Sequence, residues 1–103
     1  MTNKQLHGTP FQQTATHATS AVATQTGATG KTSYITDISG SSDKAGSVIL
    51  VKDGSTTIWQ DIVGQGHYNH SFVQPLKATA GANVSVTVDG TALANANIAG
   101  FVG

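Results

Sequence analysis

Apolar positions along this chain recur with a period of two, and no stretch sustains the period of a helix. The clearest case is Ala82 to Asp89, where Val84, Val86 and Val88 alternate with Ser85 and Thr87. This predicts a strand with the valines inward. The stretch Ser47 to Ile62 predicts a hairpin, because two β-branched runs flank Asp53-Gly54 and the glycine supplies the positive φ of a tight turn. Val48, Ile49, Leu50 and Val51 are consecutive, so this strand is apolar on both faces. The return strand carries Ile58, the only tryptophan, Trp59, and Ile62, and the hairpin reads as the centre of the core. Three further strands are expected. Lys31 to Ile38 sets Tyr34, Thr36 and Ile38 against Ile35 and Asp37. His67 to Val73 carries Tyr68, His70 and Phe72 on one face, and Pro75 either ends it or marks it as an edge strand. Thr91 to Val102 is anchored by Leu93, Ile98, Phe101 and Val102, after a second hairpin signal at Asp89-Gly90. Ser39 to Gly46 reads as a small-residue loop, with turns at Gly27–Gly30, Gly64–Gly66 and Thr79–Gly81. Seven or eight short strands at this spacing predict an all-β fold, an antiparallel β-sandwich of jelly-roll type.

The N-terminal quarter is different. Residues 1 to about 13 are polar, with Gly8 and Pro10, and residues 14 to 26 are rich in Thr, Ala and Ser around Ala21, Val22 and Ala23. The plain reading of the latter is a weak first strand. Leu6, Phe11 and Val22 are the only large aliphatic or aromatic groups before Tyr34 apart from the initiating Met1, so little burial is expected here. The expected organisation is therefore an extended arm over residues 1–26 and a β-sandwich domain over residues 27–103. Leu6 and Phe11 would be partner-binding anchors of the arm.

Composition narrows the function. Charged residues make up 10% of the 103 residues, against about 25% in typical proteins, and the formal net charge is zero. All charges are Lys and Asp; Arg and Glu are absent. Lys4, Lys31, Lys44, Lys52 and Lys77 are scattered, which argues against a nucleic-acid partner. There is no cysteine, so disulfides and thiolate metal sites are excluded. The first residues lack an apolar signal core, and no apolar run approaches the roughly 20 residues that span a bilayer, so neither secretion nor a membrane partner is expected. A neutral surface of Thr, Ser, Asn and Gln suits packing against a neighbouring subunit.

Each candidate for chemistry has a plainer reading. Gly30-Lys31-Thr32 ends like a phosphate loop, but Gln25 stands where the first glycine belongs and a strand follows instead of a helix. His67 and His70 are three apart, so on a strand they face opposite ways and cannot chelate together. The five aspartates lie in or near turns, where Asp bonds its own backbone, and form no calcium-loop pattern. No Gly-x-Ser-x-Gly elbow is present. No catalytic residue, cofactor or metal ligand is expected. Val48, Leu50, Ile58 and Trp59 are the candidate core or interface residues.

Three stretches nevertheless carry a family likeness. Lys31-Thr32-Ser33-Tyr34-Ile35-Thr36, Leu50-Val51-Lys52-Asp53-Gly54-Ser55-Thr56-Thr57-Ile58-Trp59 and Pro75-Leu76-Lys77-Ala78-Thr79-Ala80-Gly81-Ala82 resemble small β-sandwich structural proteins of tailed bacteriophages. The likeness covers about residues 31 to 103. It implies a virion component without enzymatic activity, with the capsid decoration or cement type as the favoured member. It further implies a homotrimer on the phage head surface with the major capsid protein as partner. The alternative role is a receptor- or glycan-binding module of tail or fibre, with Trp59, Tyr34 and Tyr68 stacking on sugars.

Overall fold

A computed structural model describes residues 8–103, which form eight strands. They are β1 (Thr9–His17), β2 (Ser20–Gln25), β3 (Ser33–Ser42), β4 (Val48–Asp53), β5 (Thr56–Ile62), β6 (Gly66–Lys77), β7 (Val84–Asp89) and β8 (Ala94–Val102). One sheet has the order β1-β8-β3-β6 and the other β2-β7-β4-β5. All pairings are antiparallel. Apart from the β4–β5 hairpin, every consecutive pair of strands crosses from one sheet to the other. That strand order is the jelly roll, as the spacing of strands and turns predicts.

The two sheets meet through small and β-branched side chains. Val84, Val86 and Val88 of β7 face inward, as their alternation requires, beside Ala21 and Ala23 of β2 and Ile49 and Val51 of β4. Ile35 and Ile38 of β3 and Ala94, Ala96 and Ile98 of β8 supply the opposite layer. Gly40 lets the layers approach. A Cβ there would lie 2.6 Å from the Asn95 carbonyl oxygen and 2.9 Å from Val88 Cγ2.

Several expectations need correction. Residues 9–25 belong to the sandwich and not to a detached arm. β1 pairs with β8 from Thr9 to His17, and β2 pairs with β7 from Ser20 to Gln25. Few large side chains do not mean little burial: Ala21 and Ala23 of β2 are buried between the sheets beside the β7 valines. Phe11 packs inward against the core from β1; Leu6 lies outside the described residues. The β4–β5 hairpin forms around Gly54 (φ 62°), but β5 is an edge strand, so the hairpin flanks the core and does not centre it. Ile49 and Val51 are the core residues of β4. Val48 and Leu50 face outward and are half-buried, and Ile58 is 37% exposed.

Two bulges explain the other misses. In β3 the register shifts between Ile35 and Asp37, so Ile35 and Ile38 both point inward and Tyr34 and Asp37 outward, which strict alternation forbids. β6 continues past Pro75 to Lys77. Four of its residues, Phe72 to Pro75, bow out between the pairs Asp37–Ser71 and Ile35–Leu76. A proline on that edge removes no ladder bond. Likewise β3 runs on through Ser39–Ser42, where a loop is expected, because Ser39, Gly40 and Ser41 pair on both sides. Asp89-Gly90 makes no hairpin. Gly90 is buried at a corner where the chain leaves one sheet for the other, and Leu93 of that corner is 58% exposed.

Candidate functional site

The outer face of the β2-β7-β4-β5 sheet carries an apolar patch, while Val73 of β6 and Leu93 are exposed elsewhere. Register places Val22, Thr87 and Leu50 in one row across β2, β7 and β4, and Val48 beside Ile62 in the next. Val22 is 46% and Ile62 68% exposed, and Val48 and Leu50 are half-buried. This is the structural meaning of the four consecutive apolar residues in β4: Ile49 and Val51 fill the core while Val48 and Leu50 dress the outside. Lys52, Gln60 and the β5 threonines border the patch.

The open side of the sandwich, between β5 and β6, holds a ring cluster. Trp59 of β5 faces inward opposite Val51 and is half-buried. Its centroid lies 5.0 Å from His70, 5.3 Å from Phe72 in an edge-on arrangement, and 6.2 Å from Tyr68. His70 and Phe72 are themselves 4.7 Å apart. Tyr68, His70 and Phe72 share one face of β6, as their alternation predicts, and that face is the inner one. The Tyr68 hydroxyl donates to Asp61 Oδ2 at 2.7 Å. Burial and that carboxylate push the phenol up to about 12, and the same bond, with the Ile62 N–H, holds Asp61 below the usual carboxylate range. Trp59 and Tyr68 are therefore committed to each other and to the sheet edges and do not form an exposed stacking platform. Tyr34 lies apart from them, stacked on Phe101 at 4.9 Å.

The aspartates behave unlike solitary turn residues: besides Asp61, which bonds the opposite sheet through Tyr68, the other four also bond beyond their own turns. Asp43 accepts the Thr91 and Ala92 N–H groups, which lower its pKa. Asp53 accepts both the N–H and the hydroxyl of Thr79. Asp37 accepts the Ser71 hydroxyl of the neighbouring strand. Asp89 gathers the Lys44 ammonium at 2.7 Å, the Val48 N–H at 3.0 Å and the Ser47 hydroxyl at 2.9 Å. The Lys44 bond above all, with the Val48 N–H, brings Asp89 down to about 2. Sequence spacing hides these bridges, since the partners lie more than 20 positions apart. His67 and His70 face opposite sides of β6, and among the described residues no cluster of three His or Asp side chains is placed to hold a metal. Lys31 of the Gly30-Lys31-Thr32 turn donates its N–H to Ala28 and leads into β3, so no helix N-terminus is present there for a phosphate.

No protein-family model matches the chain, and no curated protein matches it. Among solved structures it is similar to Aeromonas hydrophila PliG, a periplasmic lysozyme inhibitor of g-type lysozyme. The identity is 13% over 100% of this chain and 92% of that one, with a TM-score of 0.39. A likeness so slight carries no argument about role. No helix of the described residues is long and apolar enough to cross a membrane.

Proposed function

We propose that this chain is a non-enzymatic structural subunit of a phage virion, of the capsid decoration or cement kind. Copies of it associate through the outer β2-β7-β4-β5 face, as a trimer, while attached to the major capsid protein of the head. The observation that carries the reading is the apolar patch of Val22, Leu50, Val48 and Ile62, in two adjacent rows, on a sheet face that no other part of the described chain covers. The jelly roll supports it as an architecture shared by viral capsid and lectin domains, as does the motif likeness in β3, the β4–β5 hairpin and the β6–β7 connection. A net charge of zero lets copies approach without repulsion, and closed cyclic assemblies are the usual outcome for identical chains.

Sedimentation at micromolar concentration, alone and with capsid shells, tests this. The parent chain is expected to sediment as a trimer, in solution or on the shell. Leu50→Lys and Ile62→Lys are expected to keep the fold, since both side chains point outward, but to lose the assembly. A chain that stays monomeric in both settings, or lysine variants that assemble normally, would sink the reading.

A further inference from the structure

The opposite outer face, on β1-β8-β3-β6, has the reverse chemistry. Its register aligns three rows across four strands, in which every position but Ala99 carries a hydrogen-bonding side chain. Gln12, Ala99, Asp37 and Ser71 form the first. Thr14, Asn97, Ser39 and Asn69 form the second. Thr16, Asn95, Ser41 and His67 form the third. Successive rows are ~7 Å apart along the strands and ~5 Å across them. A one-way hydrogen-bond chain orients the centre. The Thr14 hydroxyl donates to Asn97 Oδ1 at 2.8 Å, Asn97 Nδ2 to Asn95 Oδ1 at 2.8 Å, and Asn95 Nδ2 to Thr16 Oγ1 at 3.2 Å.

We propose that this face binds neutral oligosaccharides. Each sugar hydroxyl both donates and accepts, and a carboxamide offers both functions in one plane. The chain above uses one N–H of each asparagine and leaves the second N–H, and a lone pair on each carbonyl, unused. Ser39, Ser41, Asn69 and His67 make no side-chain hydrogen bond among the described residues and keep that capacity for a ligand. Two adjoining depressions, of about 190 and 260 Å³, share Ser39, Asn69 and Asn97. Each is below the ~300–1,000 Å³ of a drug-sized pocket and suits one ring of a linear sugar. The stacked Tyr34–Phe101 pair ends the face beyond Asp37 and Ala99 and gives the apolar side of a further ring a surface to lie on.

Charge sets the selectivity. Asp37 and His67 are the only ionisable groups in the three rows, and no lysine lies among them, so no fixed positive charge there compensates an acidic sugar. The short side chains stand on β3 and β8, the two central strands, backed by the buried Ile38, Gly40, Ala96 and Ile98. A site on such strands is held more firmly than one on loops. Because it uses a different face, this inference stands apart from the assembly reading.

The experiment is an amide NMR titration of the full chain with millimolar maltotriose, chitotriose, xylotriose and, as the acidic control, trigalacturonate. Saturable shifts confined to the Asn69, Asn95 and Asn97 side chains and their neighbours, with at least one neutral trisaccharide, are expected. Asn69→Ala, on an edge strand, and Asn97→Ala are expected to weaken that binding about tenfold, the loss of one or two hydrogen bonds. Leu50→Lys on the opposite face should leave it unchanged. Absence of shifts with all three neutral sugars overturns the proposal. So do shifts centred on Trp59 and Tyr68, preference for trigalacturonate, or full affinity in both asparagine variants.

Discussion

Tyr68 and Asp61 sit on edge strands of different sheets, and the 2.7 Å bond between them closes the open side of the sandwich. Trp59 packs against the same tyrosine, so the rings and the hydrogen bond act on one seam. Tyr68→Phe keeps the ring and removes the bond. It is expected to lower Tm by a few degrees without changing the fold. Because the bond depresses Asp61 and raises Tyr68, the variant should also return the Asp61 carboxyl toward its ordinary range, readable by carboxyl NMR titration. An Asp61 titration identical in parent and variant would show that the bond does not form in solution.

Sequence pattern revealed most of the fold and little of its surfaces, for separable reasons. β7 was legible because Val84, Val86 and Val88 have no competing interpretation. β3 was misread at one point, since a bulge at Thr36 reverses every later side chain and leaves no compositional mark. β1 and β2 read as an arm with one weak strand over residues 14–26, because alanine can bury as completely as valine yet signals it weakly. The amide face was invisible for another reason. Thr14, Ser39, Asn69 and Asn97 lie on four strands, and only the register brings them into a row.

Asp89 predicts the acid behaviour. Its carboxyl titrates at about 2 in the folded chain, below the ordinary value of 3.8, so the folded state holds its proton less tightly than the unfolded state. The corresponding stability is fully present above about pH 4 and is lost as pH falls toward about 2. Its size is about 1–2 kcal/mol once solvent screening at the half-exposed Lys44 is allowed for. Urea midpoints across this interval should fall in the parent chain and fall less in Asp89→Asn, which starts lower because Lys44 loses its partner. Equal losses in both would assign the acid sensitivity elsewhere.

Gly40 predicts a packing limit. An added Cβ meets the Asn95 carbonyl oxygen at 2.6 Å, and backbone on a central strand cannot step aside as a side-chain end can. Gly40→Ala is expected to destabilise by about 1–3 kcal/mol. It should also displace Asn95, the residue that links Asn97 to Thr16 on the outer face. Denaturation gives the first effect and the asparagine side-chain NMR signals give the second. A variant as stable as the parent would mean that the sheets are less closely packed here than these distances state.

The N-terminal strands give the last prediction. Deleting residues 2–26 removes β1 and β2, each the outer strand at the same side of the sandwich. β8 then loses its partner along Ala94–Val102, and β7 along Val84–Asp89. The backbone groups of β7 and β8 become edges without proline, with Asp89 at the end of β7 as their one charge. The core also loses Ala21, Ala23 and the inward ring of Phe11, and the inner faces of Val86 and Ile98 gain access to water. Folding should therefore fail, and the proposed capsid attachment with it, with the truncated chain recovered as aggregate or as an unfolded species by circular dichroism. The coupling separates this structure from a design in which residues 1–26 serve only to grip a partner. A truncated chain that melts near the parent temperature while losing attachment would restore the arm and refute the pairing of β1 with β8. Adding a peptide of residues 2–26 to the truncated chain is a second readout. In a jelly roll completed by these strands, it should rescue folding by pairing along both exposed edges.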